Sequence, residues 1–136
     1  MRLLIDTNIF LEVLLEQDRA EEARQLLTRN QEHEFFISDF SLHSIGLLLF
    51  RRRQQDVFRR FLADMLFNAG VGVVALPATE METVIRASQQ FNLDFDDAYQ
   101  YAVAEYYELT IVSLDADFDR TGRGRRMPGQ IDIESR

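Results

Sequence analysis

Leu3-Leu4-Ile5-Asp6-Thr7-Asn8, near the head of the chain, is a short apolar run that stops on a carboxylate. Consecutive apolar side chains with no polar alternation are the pattern of a strand buried on both faces. A helix follows, with Ile9, Phe10, Val13 and Leu14 on one face. The unit then repeats. Phe35-Phe36-Ile37, Val71–Leu76 and Thr110–Leu114 read as further buried strands. Between them lie stretches of helical spacing. Asp18-x-x-Glu21 and Thr79-x-x-Glu82 resemble capping boxes, Ser38 or Asp39 caps the helix after strand two, and Asp56 caps the next. Gly70 falls at a C′ position. Asp94–Asp97 opens a helix carrying Ala98, Tyr101, Ala102 and Glu105. Residues 115–129 are polar and Arg/Gly-rich, which predicts a loop, and Ile131 and Ile133 alternate with Asp132 and Glu134 as a short edge strand would. Strands alternating with helices predict an α/β domain whose mostly parallel sheet is covered on both faces. The 136 residues form a single domain, 1–136, with no linker composition inside it.

Composition narrows the chemistry. The chain has no cysteine and no lysine. Thiolate metal sites, disulfides, thiol nucleophiles, Schiff-base lysines and the P-loop are therefore excluded. The histidines are His33 and His43, too few for an imidazole-rich metal site. The net charge of −8 argues against a broad basic nucleic-acid surface. The apolar run before Asp6 is too short for a signal peptide, and Ile45–Phe50 is far shorter than a membrane span. A cytoplasmic protein with no membrane association is expected.

Ligands of such sheets bind beyond the carboxyl ends of the strands. Aspartates occupy those positions. Asp6 follows strand one, Asp115 follows strand four with Asp117 and Asp119 close behind, and Asp94, Asp96 and Asp97 crowd the start of the preceding helix. Taken singly, Asp6 and Asp94 are also good helix caps and Asp115-Ala116-Asp117 a good turn. Taken together, they deliver carboxylates from separated segments to one rim. Crowded carboxylates repel and retain protons, unless a divalent cation neutralises them. Mg²⁺ suits an all-oxygen site, and it would activate water against a phosphodiester. Arg120, Arg123, Arg125 and Arg126 follow in the polar loop. They either clamp phosphates of a bound RNA or remain solvated loop charge.

Three segments carry a family resemblance. Leu4-Ile5-Asp6-Thr7-Asn8, Asp97-Ala98-Tyr99-Gln100-Tyr101-Ala102-Val103-Ala104 and Ile111-Val112-Ser113-Leu114-Asp115-Ala116-Asp117-Phe118 resemble, in order, the opening, central and late motifs of the PIN domain, especially the small VapC-like ribonuclease toxins. The resemblance implies a three-layer α/β/α domain with about five strands. It implies Mg²⁺ or Mn²⁺ held by Asp6, Asp97 and Asp115 as the catalytic set, with Asp117 as a weaker ligand and Ser113 at a hydroxyl position of the late motif. The loop residues Arg123 and Arg125 are the accompanying substrate-binding candidates. It further implies an endoribonuclease acting on RNA, a homodimer, and a small antitoxin partner.

One departure stands out. The family places a glutamate early in the helix after strand two, and here that position falls at Ser44. His43 lies about 100° around the helix. The glutamate's work is either lost or done from elsewhere, with Asp96 a candidate. Two functional readings follow: a metal-dependent endoribonuclease, and a PIN-like domain that no longer cuts but binds RNA or protein. A phosphatase with an aspartyl nucleophile ranks below both, because Asp6 is followed by Thr7-Asn8 rather than an Asp-x-Asp pair.

Overall fold

The structure, a computed structural model, describes residues 1–134. Four parallel strands form one sheet: β1 (Arg2–Ile5), β2 (Glu34–Ser38), β3 (Gly72–Val74) and β4 (Thr110–Val112), in the spatial order β3-β2-β1-β4. Strand alternation sends neighbouring side chains to opposite faces. Leu3 and Ile5 therefore join one core layer and Leu4 the other, and all are fully buried. On the first face lie α1 (Thr7–Leu14), α2 (Ala20–Leu27), α3 (Asp39–Arg51), α4 (Gln55–Phe61) and α7 (Pro128–Glu134), contributing Ile9, Phe10, Leu26, Ile45, Phe61 and Ile131. On the second lie α5 (Met81–Phe91) and α6 (Phe95–Tyr107), contributing Val84, Ala87 and most of the apolar side chains of α6. The expected three-layer α/β/α arrangement is thus present, with four strands among the described residues rather than about five.

The difference lies at the C-terminal end. Ile131 and Ile133 belong to helix α7, not to an edge strand. Pro128 opens that helix, at the position where a missing N–H costs nothing and the fixed φ is already helical. Ile131 is fully buried in the core layer beside α2. The place next to β4 is taken instead by a single parallel bridge between Val112 and Arg126. There Arg126 N–H donates to Ile111 O at 2.8 Å, and Ser113 N–H donates to Arg126 O at 3.0 Å.

Capping follows the sequence in part. Ser38 caps α3 by accepting from Ser41 N–H, and Asp94 caps α6 by accepting from Asp97 N–H. The two capping boxes do not form. α2 starts at Ala20 and α5 at Met81, neither with a side-chain cap, the latter because a 3₁₀ turn at Ala78–Glu80 precedes it. Nor does Asp56 cap α4, which starts one residue earlier at Gln55. α4 also runs on into a π-helical segment, Leu62–Asn68, which sequence periodicity does not reveal. Gly70 ends it with a φ of 70°, where a side chain would be strained.

The sheet order sets the position of the site. After β1 the chain adds β2 and β3 on one side, then returns to place β4 on the other. The crevice at such a reversal, beyond the carboxyl ends of β1 and β4, is where open α/β sheets bind ligands. Asp6 and Ser113 are the first residues past those two strand ends.

Candidate metal centre

Asp6 leaves β1 and caps α1, its Oδ1 accepting from Thr7 N–H at 2.9 Å. The cap is only part of its environment. Ser113 Oγ donates to Asp6 Oδ2 at 2.7 Å across the β1–β4 crevice, and Gln100 Nε2 on α6 donates to Oδ1 at 2.8 Å. The carboxylate is buried, and burial raises its pKa against the opposing pull of these hydrogen bonds. Asp6 thus caps α1 and also lines a cavity shared with Asp97 and Asp115, so the two readings of the sequence do not compete.

Asp97 sits in the first turn of α6, anchored by its N–H to Asp94 Oδ1 at 3.1 Å. Asp115 leads the late turn and fixes it, its Oδ1 accepting from Asp117 N–H at 2.9 Å. Carboxylate oxygens of Asp97, Asp115 and Asp117 all lie within 4.8 Å of one another. Burial, a hydrogen bond shared with Asp115, and the negative charges of Asp115, Asp94 and Asp6 push the Asp97 pKa up to about 8. Two carboxylates this close repel as anions, which favours the protonated form of Asp97.

Asp6, Asp97 and Asp115 line one cavity of about 230 Å³, together with Thr7, Asn8, Ser44, Asp96 and Gln100. Asp6 lies outside the 4.8 Å trio but opens onto the same space. Ser44, at the expected glutamate position, also faces it, whereas His43 is exposed. Asp96 is an exposed residue among the cavity lining. The polar groups that line the cavity offer oxygen and amide donors, the class that Mg²⁺ and Mn²⁺ accept. One buried oxygen among them, Gln100 Oε1, has no hydrogen-bond partner. On both counts the residues present fit a hard divalent cation.

The remaining candidates lie on the late turn and on the loop that follows it. Ser113 is fully buried and ties the site together, donating to Asp6 while its Oγ accepts from Asp115 N–H at 2.9 Å. Arg125 is held inside the protein fabric: its Nε reaches Asp119 Oδ1 at 3.1 Å and its Nη1 reaches Ser113 O at 3.2 Å. Arg123 is exposed, with a long 3.5 Å contact to Leu109 O. Arg120 bridges to Asn92 O and Phe91 O.

Sequence reasoning missed the neutral half of the site. Asn8 accepts from Leu114 N–H at 3.2 Å and donates to Ser113, pinning the late turn to α1. Thr7 Oγ1 donates to Ser41 Oγ at 2.7 Å, and Gln100 Nε2 reaches the same hydroxyl at 2.9 Å. A signal existed for Gln100: it stands one turn after Asp97 in a run, 97–104, that is buried throughout.

Residues 3–124 match the PIN domain family. Solved structures with the same fold include VapC20 of Mycobacterium tuberculosis, a toxin that cleaves the sarcin–ricin loop, at 21% identity and a TM-score of 0.72 over 88% of this chain and 95% of that one. A toxin–antitoxin complex from Klebsiella pneumoniae matches at 22% identity and 0.69, over 93% and 97%. VapBC2 of Rickettsia felis, bound to a DNA fragment from its promoter, matches at 15% and 0.70, over 93% and 97%. No curated protein matches the sequence.

Proposed function

The chain belongs to the PIN domain family, and from that premise we propose that it is a divalent-metal-dependent endoribonuclease, the toxin of a toxin–antitoxin pair acting in the cytoplasm. The observation that carries this reading is the meeting of Asp6, Asp97 and Asp115, from three separated segments, on one cavity, where burial and the neighbouring carboxylates push the Asp97 pKa up. Such frustration is costly in an inert fold and useful in a cation site.

Asp97, Asp115 and Asp6 would hold Mg²⁺ or Mn²⁺, with Asp117 as an added ligand. When bound, the cation supplies an activated water and neutralises charge on the phosphoryl group. The chain's own residues do the rest. Ser113 and Gln100 fix both oxygens of Asp6, so its carboxylate cannot swing away. Asp115 is oriented by the turn it caps. Arg123 is exposed and is the candidate for an RNA phosphate outside the cavity, its guanidinium lying by Leu109 O at the opposite end of β4. Arg125 acts on substrate through Ser113 and Asp119, by keeping that turn in place. Toxin–antitoxin complexes among the similar folds support a small antitoxin as partner, and a homodimer is the assembly we carry over with it. Among the described residues no helix is long and apolar enough to cross a membrane.

The test is RNA cleavage by the purified protein with Mg²⁺ or Mn²⁺. Cleavage is expected, with EDTA and Asp6→Asn each abolishing it. Activity that survives both treatments overturns the metal mechanism. The second reading, a domain that binds without cutting, is favoured by one observation: Ser44 rather than a glutamate faces the cavity. It gains if no RNA is cut while RNA or protein still binds without added metal.

A further inference from the structure

Gln100 is 2% exposed, on a helix whose neighbouring positions 98–104 are all buried. An amide in that setting costs free energy unless each polar atom is satisfied. Its nitrogen is satisfied, donating to Asp6 Oδ1 at 2.8 Å and to Ser41 Oγ at 2.9 Å. These contacts also settle which way the amide faces. Flipped, its carbonyl oxygen would meet the Asp6 carboxylate, and two acceptors repel. Oε1 is therefore the atom left over, buried and without a hydrogen-bond partner. Gln100 lines the same cavity as Asp6, Asp97 and Asp115. Of the other groups there, Ser44 is short and Asp96 is solvated at an exposed position.

We propose that Gln100 is a neutral oxygen donor of the cation site, its Oε1, buried and unpartnered in the ion-free protein, turning to the ion at the corner left open by Ser44. This rests on the cation reading above. The chemistry suits it, since a side-chain amide oxygen is a hard donor to divalent cations. The amide also carries no charge, so it adds an oxygen without adding to the repulsion among the aspartates. In this chain the fourth corner is moved from α3 to α6 and exchanged from carboxylate to amide.

The experiment is calorimetric titration with Mn²⁺ of the wild type, Gln100→Leu, Gln100→Glu and the double variant Gln100→Leu/Ser44→Glu, each with a melting curve. Gln100→Leu should weaken Mn²⁺ binding by about tenfold to a hundredfold, the range seen when groups supporting a metal site are removed. Gln100→Glu loses the same donated hydrogen bonds as Gln100→Leu but keeps an oxygen, so it should bind Mn²⁺ more tightly than Gln100→Leu, and the double variant should recover affinity relative to Gln100→Leu. If Gln100 only braces Asp6, Gln100→Glu binds Mn²⁺ no more tightly than Gln100→Leu, which overturns the proposal. Unchanged affinity in a folded Gln100→Leu overturns it too. Should Gln100→Leu not fold, Gln100→Met takes its place in the comparison with Gln100→Glu. A wild type that takes up no Mn²⁺ sinks this inference and the cation reading together, whereas normal wild-type binding with insensitive variants sinks only the role of Gln100.

Discussion

Asp97 sits among the carboxylates of Asp6, Asp94, Asp115 and Asp117 and carries the consequence in its proton affinity. Its ordinary pKa of 3.8 rises to about 8 in the folded protein. The folded state therefore binds a proton that the unfolded chain has already lost between those two values. Stability is fully present below the lower value and falls as pH climbs through the upper one. Asp6 is raised in the same direction, by burial. Without added metal, the melting temperature should drop between about pH 5 and about pH 8, and Asp97→Asn should flatten the slope. A metal-free protein whose melting temperature is level or rises across that window contradicts the electrostatic account of the site. Asp6 shows why a residue's two roles need not exclude each other. It points into the cavity because it caps α1, since the extended backbone of a cap aims its side chain back over the first turn.

Helix α3 shows how an element is set by its neighbours. Ser38 caps it, and the Ser41 hydroxyl in its first turn links Thr7 on α1 to Gln100 on α6. Its far half crosses α4 at Gly46, where an added Cβ would lie 3.0 Å from Phe58 Cζ. Phe58 stacks on Phe61 and meets Phe50 edge-on, so the ring has neighbours on both sides. A glycine inside a helix costs up to about 1 kcal/mol of propensity, and here it allows the close crossing. Gly46→Val should therefore destabilise the protein by about 1–3 kcal/mol, the usual range for overpacking, rather than stabilise it. Chemical denaturation measures this directly, and an increase in stability would mean that the α3–α4 crossing is loose.

Across the whole molecule, the site is a junction between both core layers. α1 and α3 reach it from one face of the sheet and α6 from the other, while β1 and β4 supply the crevice. Occupying it should therefore steady the entire fold. At a Mn²⁺ concentration about a hundredfold above its dissociation constant, stabilisation of about 2.7 kcal/mol is expected, read as a rise of several degrees in melting temperature. Asp97→Asn should lose most of that rise. An equal shift in wild type and variant would place the bound ions on the general acidic surface, which the net charge of −8 makes the natural competitor.

The alternation of buried strands with helices, the caps at Ser38 and Asp94, and the aspartates past the ends of β1 and β4 were all legible in the sequence. Each is a local property, fixed by side chains a few positions apart. The π-helical extension of α4 and the helical state of Ile131 were not. A short apolar pair at alternate positions fits either element, and burial against α2 chose the helix. Nor could spacing show that Gln100 bonds to Asp6, 94 positions away, or that Arg125 is tied to Asp119 and Ser113. Those contacts exist because the sheet order brings the ends of β1 and β4 side by side under the first turn of α6, and sheet order is a choice made by the packed whole.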